Sequence, residues 1–155
     1  MIHIDNKFNP GLEGFKNVVS RLEETVFIVH GPGGWAKIGG EETGEAYPKG
    51  RIAGPGEADR ILKEYRNFYA DISAFSGLNA ISRDRDFGRR FLSDMSEKII
   101  YGTDFPCINP EGSQFGPDKS HISVLKSYSL NEEALKRITR ENILKILKPT
   151  ENSGS

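Results

Sequence analysis

The chain has 155 residues, which is enough for one domain that buries a sizeable hydrophobic core. Its formal net charge of −1, with acidic and basic residues mixed along the chain, argues against nucleic-acid binding and against a membrane partner. The single cysteine excludes an intrachain disulfide and every metal site built from several cysteines. No apolar run reaches the roughly 18 residues of a membrane-spanning helix. The N-terminus does not resemble a signal peptide, so we expect a cytoplasmic protein.

Strand and helix patterns alternate along the chain. Four short apolar or β-branched runs predict strands at residues 1–4, 26–29, 68–72 and 99–101. Apolar residues at helical spacing predict helices at 12–22 and 58–65, one after a Ser82 cap, a short one from 122, and a last one capped by Asn131. Two long glycine-containing loops, residues 31–56 and 105–119, each follow a predicted strand.

This alternation predicts the fold class. Repeated strand–helix–strand units favour right-handed crossovers and a parallel sheet, so we expect an α/β fold with the helices on one face of the sheet. No internal repeat or linker interrupts the pattern. Residues 1–149 are therefore expected to form one domain, followed by a disordered polar tail at 150–155.

Histidines and aspartates lie at the ends of all four predicted strands. His3 ends the first strand, His30 follows the second, Asp71 lies near the end of the third, and Asp104 follows the fourth. The carboxyl ends of parallel strands meet at one edge, where α/β proteins place their chemistry. Imidazole and carboxylate groups together suit zinc or a similar divalent ion, and a carboxylate there could take a proton from water. The pattern indicates a metal centre.

Each of these residues also has a structural interpretation. A lone histidine is more often a hydrogen-bonded structural residue than a metal ligand, although the shared strand-end position favours function for His3 and His30. Asp71 could bond neighbouring backbone groups, and Asp104 could be a turn residue. His121 is expected to be a surface or capping residue.

Two other catalytic motifs are incomplete. The Gly-Pro-Gly-Gly turn at 31–34 lacks the Gly-Lys-Ser/Thr that completes a phosphate-binding loop. The segment Ala-Phe-Ser-Gly-Leu at 74–78 lacks both glycines of a nucleophile elbow.

Four phrases occur in order along the chain: VFIVHGPGGW, NFYADIS, KIIYGTDFP and EEALKRITRENILKIL. In this order and spacing they resemble the C-terminal half of amidohydrolase-related metal-dependent hydrolases, the group that includes aminocarboxymuconate-semialdehyde decarboxylase and related lactonases. The resemblance implies a partial TIM-type (β/α)8 barrel, of which this chain would supply roughly the last three to four βα units. It implies that His3 is a metal ligand and that His30 is either a ligand or an acid/base group. It also implies that Asp104 is a ligand that activates water.

The chain departs from this family in one respect. The first strand of the family carries a His-x-His pair that supplies two more ligands, and this sequence contains no such pair. A complete barrel also needs about 250 residues. We therefore expect a fragment that pairs with a missing N-terminal half or self-associates through open edges and the exposed apolar strands 26–29 and 99–101. Alone, it is expected to bind zinc weakly and to be inactive.

The resulting prediction is a piece of a metal-dependent hydrolase that acts on a small organic substrate. Non-oxidative decarboxylation at the same site is one alternative, and a non-catalytic half-barrel that acts only by association is another. Loops after barrel strands carry substrate recognition. Trp35, Arg51 and Asp71 are thus candidates for substrate binding, with Tyr47 as a further pocket residue, although Trp35 as simple core packing is equally well supported.

Overall fold

A single parallel sheet organises the protein. The computed structural model describes residues 1–4, 7, 10–41, 43–106 and 120–147. Its strands are β1 (Ile2–His3), β2 (Phe27–His30), β3 (Phe68–Asp71) and β4 (Ile99–Ile100), all parallel and ordered β1-β2-β3-β4. Helical segments connect β1 to β2, β2 to β3 and β3 to β4. The predicted α/β class with parallel strands is confirmed, and the architecture is consistent with part of a TIM-type barrel.

The helices fall into three connections and a C-terminal region. A 3₁₀ turn (Pro10–Leu12) and α1 (Glu13–Arg21) precede β2, and α2 (Pro32–Trp35) and α3 (Glu57–Glu64) precede β3. Between β3 and β4 lie α4 (Ala74–Ser82) and α5 (Arg85–Asp94). The C-terminal region contains α6 (Ser120–Ser127), α7 (Glu132–Lys136), a π-helical turn (Arg137–Glu141) and α8 (Asn142–Leu147). None of the helices in the described segments is long and apolar enough to cross a bilayer.

Two of these helices have no clear signal in the sequence. The buried face of the α4 sequence AFSGLNAIS includes Ser76 and Gly77, whereas Phe75 is 43% exposed, so large apolar residues do not mark the face that packs inward. The α2 sequence Pro-Gly-Gly-Trp contains two poor helix formers, although Pro32 suits the first helical position. The predicted Ser82 cap is wrong, because Ser82 ends α4 and the Asp84 side chain caps α5 by accepting from the Phe87 N–H. Asn131 does cap α7, as predicted.

The two faces of the sheet bury different side chains. One face, here called the core face, packs against the helical layer and carries the main hydrophobic core, which includes Phe27, Val29, Phe68, Ala70 and Ile99. The opposite face, here called the site face, carries Ile28, Tyr69 and Ile100. Because side chains alternate along a strand, His30 and Asp71 lie on this same face. The half-buried Ile143 and Ile146 of α8 pack on this small cluster.

This arrangement corrects two predictions. The helices do not all lie on one face, because α8 lies against the site face. Strands 26–29 and 99–101 do not expose their apolar side chains as a patch either, since residues 27–29, 99 and 100 are all buried. Val26, which lies before β2, is 42% exposed. The reason is that α8, in the chain's own C-terminal region, covers the apolar residues of the site face. The sequence pattern alone did not indicate this covering helix.

The same region covers the β4 edge of the sheet. The Tyr101 N–H donates to the Ile138 carbonyl at 2.9 Å. The Asn142 side-chain amide donates to the carbonyls of Ser96 and Ile99, both at 2.7 Å. The Tyr101 N–H and the Ile99 carbonyl, which could otherwise pair with a further strand, are therefore hydrogen-bonded within the chain.

Candidate functional site

Two histidines lie side by side at the carboxyl edge of the sheet. His3 and His30 are register partners on β1 and β2, and their ring centroids are 5.4 Å apart. His30 is buried, whereas His3 is exposed. Gly31 follows His30 with a φ of +92°, and a Cβ at this position would lie 2.7 Å from His3 Nε2. A glycine is therefore required for two reasons: the backbone has a positive φ, and the His3 ring occupies the space that a Cβ would need.

Asp71, at the end of β3, fixes the His30 ring. Its Oδ2 lies 3.1 Å from His30 Nδ1, and both side chains are buried. Ser73 completes the contact, because its hydroxyl donates to Asp71 Oδ2 at 2.5 Å and lies 3.3 Å from His30 Nδ1. The backbone N–H of Ser73 donates to Asp71 Oδ1 at 2.9 Å. Asp71 thus bonds a neighbouring backbone group and orients His30 at the same time.

The electrostatics of His30 follow from this contact. The hydrogen bond to Asp71 raises the pKa of His30, and the charges of Asp71 and Asp104 act in the same direction. Burial of the ring opposes these effects by disfavouring the imidazolium. His30 is therefore oriented by a carboxylate at Nδ1, which leaves Nε2 to face the opposite side.

Asp104 lies on that opposite side. It follows β4 with a φ of +54°, a left-handed conformation that aspartate tolerates better than most residues. Its Oδ1 is 3.7 Å from His30 Nε2, and its side chain is 38% exposed. The distance is too long for a hydrogen bond, but two donors that share a zinc ion at bonds of about 2.0–2.2 Å lie roughly 3–4 Å apart.

The donor set is only partly assembled for a metal. His30 Nε2 and Asp104 Oδ1 fit in both chemistry and spacing, and His3 lies on the adjacent strand end. Within the described ranges, however, no three histidine, cysteine, aspartate or glutamate side chains form a group that could hold a metal ion. The geometry supplies a matched pair of donors with a third candidate nearby.

Hydrolysis by a serine nucleophile does not fit the site. In a catalytic triad the serine and the carboxylate contact opposite nitrogens of the histidine. Here Ser73 and Asp71 both contact Nδ1, so proton transfer from Ser73 to His30 would compete with the orienting carboxylate.

The candidate substrate-binding residues lie in different surroundings. Trp35 is buried, its indole N–H donates to the Asp71 carbonyl at 2.8 Å, and its ring packs edge-on against Phe91 at 6.2 Å. Arg51 is exposed. The pKa of the Asp84 carboxyl, the cap of α5, is lowered mainly by the backbone N–H of Ile52, and the Arg51 charge acts in the same direction. No contact among the described residues joins Arg51 to His30 or Asp104. Trp35 therefore supports the site through Asp71, and a substrate contact by any of these residues stays a prediction.

The two long loops are described to different extents. In the first, the Gly33 N–H donates to the Ile4 carbonyl at 2.9 Å, and the Tyr47 ring lies 5.0 Å from that of Phe75, near the start of α4. This loop therefore begins at the carboxyl edge of the sheet and continues along α4 to Asp84, where the Ile52 N–H donates to the Asp84 carboxylate at 2.9 Å. Its predicted position over the site stays a prediction. Most of the second loop, residues 107–119, lies outside the described residues, as does the predicted tail at 150–155.

His121 occupies a different position from the predicted surface location. It is buried, and its Nε2 lies 2.9 Å from the Ala74 carbonyl. Ala74 has a φ of +57°, at the start of α4. The bond ties α6 to this turn, so His121 is a buried linking residue.

Sequence reasoning missed Ser73 and Gly102. An Asp-x-Ser triplet directly after a buried strand is a signal for an aspartate that accepts from the backbone two residues on, as Asp71 does. A Cβ at Gly102 would lie 2.9 Å from Asp71 Oδ1, so the glycine leaves room for the carboxylate. A local sequence pattern specifies neither the direction of the Ser73 hydroxyl nor the close approach of Gly102 to the Asp71 carboxylate.

The fold and site define an α/β protein with a histidine–carboxylate pair at the carboxyl ends of parallel strands. The chain belongs to the amidohydrolase family, whose family model, described as Amidohydrolase, matches residues 10–148. Neither a curated protein nor a solved structure matches the chain significantly. Metal-dependent hydrolysis is the general type of function that this family membership supports.

Proposed function

We propose that this chain provides the C-terminal part of a metal-dependent hydrolase that acts on a small organic substrate. The observation that carries the proposal is the 3.7 Å separation of His30 Nε2 and Asp104 Oδ1 in a member of the amidohydrolase family. The pair lies at the carboxyl edge of a parallel sheet, where barrel enzymes of this type place their chemistry.

The residues divide the work as follows. His3, His30 and Asp104 would hold a divalent ion, and their nitrogen and oxygen donors suit zinc. When bound, this ion would polarise the substrate as a Lewis acid. Asp104, partly open to solvent, would accept a proton from the attacking water. Asp71 would keep His30 oriented from the opposite side of its ring.

The finer assignment follows the sequence resemblance. We place the chain with the aminocarboxymuconate-semialdehyde decarboxylase-like group, as the fifth to eighth strands of a barrel in a cytoplasmic protein. The partner would be the N-terminal half that carries the His-x-His pair, or a second copy of the chain. Trp35, Arg51 and Asp71 remain the candidates for the substrate side of the pocket, with Trp35 and Asp71 acting from buried positions.

Two alternatives each have one supporting observation. Non-oxidative decarboxylation needs a proton donor, and the raised pKa of His30, caused chiefly by the Asp71 hydrogen bond, suits that role. A non-catalytic half-barrel is favoured by the incomplete donor set, since the described residues contain no group of three ligands.

Zinc stoichiometry tests the proposal. After equilibrium dialysis, elemental analysis should show zinc bound weakly by the wild-type chain and lost on Asp104→Asn or His30→Gln. Asp86→Asn, which changes an exposed aspartate of α5, is the matched control and should bind as the wild type does. Equal zinc binding by Asp104→Asn and by the wild type would contradict the proposal.

Turnover separates the alternatives. The N-terminal half of an amidohydrolase-family protein, added in trans, should raise zinc to one equivalent per complex. The complex should then release acid from a panel of lactones and esters, and Asp104→Asn should abolish that release. Carbon dioxide release without hydrolysis would support the decarboxylase alternative. A stoichiometric complex without either activity would support the non-catalytic one.

A further inference from the structure

Ser73 occupies the N-cap position of α4, yet its side chain does not cap the helix. Serine is among the preferred N-cap residues because its hydroxyl accepts from a free backbone N–H in the first turn. Here the hydroxyl turns away from the helix and donates to Asp71 Oδ2 at 2.5 Å. Ser73 therefore hydrogen-bonds to the Asp71 carboxylate of the site instead of capping its own helix.

We propose that Ser73 is a positioning residue that, with Asp71, holds His30 in the tautomer with its proton on Nδ1, so that the Nε2 lone pair faces Asp104. This inference rests on the proposed function, in which His30 is a metal ligand and so needs a free lone pair on Nε2. Its geometric basis is independent of any metal.

Counting hydrogens supports the assignment. A serine hydroxyl has one hydrogen, and the 2.5 Å contact with a carboxylate oxygen is the short, charge-assisted kind that takes it. The Ser73 oxygen then has only lone pairs to offer His30 Nδ1, 3.3 Å away. Asp71 Oδ2, 3.1 Å from the same nitrogen, also accepts. Two acceptors converge on Nδ1, so Nδ1 carries the hydrogen.

The surroundings hold this arrangement in place. His30, Asp71 and Ser73 are all buried, with Ser73 only 1% exposed. The Ser73 N–H anchors the second carboxylate oxygen at 2.9 Å, and the Trp35 indole anchors the Asp71 carbonyl at 2.8 Å. The Ser73 hydroxyl tethers the other oxygen, Oδ2, so the carboxylate is held at both oxygens and cannot rotate away from Nδ1. Removing that hydroxyl frees Oδ2, and His30 then loses the fixed acceptor that favours a proton on Nδ1.

Ser76 supplies a matched control. It is buried three residues further along α4, and its hydroxyl has no hydrogen-bond partner among the residues that the structure describes. Ser73→Ala and Ser76→Ala therefore remove the same atom from neighbouring buried serines, and only the first faces His30.

Long-range proton–nitrogen NMR of the metal-free chain tests the proposal at a pH where the imidazole is neutral, with the His30 signals assigned by their loss in His30→Gln. The wild type and Ser76→Ala should show the Nδ1–H tautomer. Ser73→Ala should show a mixture of tautomers, and Ser73→Thr, which keeps the hydroxyl, should restore the wild-type pattern. An unchanged His30 spectrum in Ser73→Ala overturns the proposal. If that variant does not fold, Ser73→Cys, a weaker donor, should give a partial shift, and its absence would overturn the proposal equally.

Zinc titration of the same variants separates this inference from the proposed function. Ser73→Ala should weaken zinc binding roughly tenfold, as for other groups that orient a ligand, while Ser76→Ala should not. Tautomers that respond as expected in a chain that binds no zinc would retain the positioning role and reject the metal-site function. Zinc binding that is identical in Ser73→Ala and the wild type, with unaltered tautomers, would reject the positioning role and retain the metal-site function.

Discussion

The core face and the site face of the sheet are built from alternating residues of the same strands, but they are covered differently. The core face packs under α1, α3 and α5 in one continuous core. The site face has three apolar residues under two half-buried isoleucines of α8, and polar side chains at its carboxyl edge. The difference teaches that the apolar packing that stabilises the fold is concentrated on one face, which leaves the other free to hold two histidines and two carboxylates at its edge.

Two adjacent isoleucines of β4 give the strongest test of this comparison. Ile99 is fully buried on the core face, and Ile100 is buried in the smaller cluster on the site face. Ile99→Ala should lower the free energy of unfolding by about 4 kcal/mol, and Ile100→Ala by about 2 kcal/mol, because fewer packed neighbours surround the second cavity. Urea denaturation of both variants measures the difference. Equal losses would show that the two faces contribute alike.

A polar contact in the helical layer should have the next largest effect. Asp84 accepts from the Phe87 N–H at 3.1 Å and from the Ile52 N–H at 2.9 Å, so it caps α5 and ties down the first long loop. Asp84→Ala should lower the free energy of unfolding by about 2 kcal/mol, because both backbone donors lose their acceptor. A loss within experimental error would show that water replaces the carboxylate at both sites.

The pH dependence of that effect follows from the direction of the pKa shift. The backbone hydrogen bonds, that from Ile52 first, lower the pKa of Asp84 below its ordinary value of 3.8. Its stabilisation is therefore present above the unfolded-state pKa and is lost as the pH falls through the lower folded-state pKa. The stability difference between the wild type and Asp84→Ala should shrink below about pH 4. A difference that grows on acidification would contradict the assignment.

The two sides of α8 should differ by a smaller amount. Ile143 packs on the site face, whereas Leu144 is 43% exposed. Ile143→Ala should cost about 1 kcal/mol of unfolding free energy, and Leu144→Ala under about 0.5 kcal/mol. Thermal unfolding of both variants tests the orientation of the helix. A larger loss for Leu144→Ala would place the opposite side of α8 against the sheet.

Asp104 should matter least for stability and most for metal binding. Its side chain is 38% exposed, and asparagine also tolerates its positive φ. Asp104→Asn should change the unfolding free energy by less than about 0.5 kcal/mol. A calorimetric titration of the same sample should show that zinc binding is lost. A marked destabilisation would indicate that Asp104 is a turn residue rather than a ligand.

The sequence predicted the features that depend on local pattern. The strands and the placement of His3, His30 and Asp104 after strand ends at one edge follow from alternation and parallel topology. The Asn131 cap follows from a local residue preference. It did not predict α4, because the buried face of this helix contains Ser76 and Gly77 while Phe75 is exposed, so the apolar residues do not form a stripe on that face. It also missed the position of α8 and the turn of the Ser73 hydroxyl toward Asp71, since both depend on tertiary contacts between distant segments.

Zinc-edge anomalous diffraction from crystals of the chain grown with zinc tests the central claim most directly. We predict one peak at the carboxyl edge of the sheet, about 2.0–2.2 Å from His30 Nε2 and within bonding distance of the Asp104 carboxylate. Asp71 should stay hydrogen-bonded to Nδ1. A peak bound through Nδ1, a peak away from the strand ends, or none at all would contradict the account.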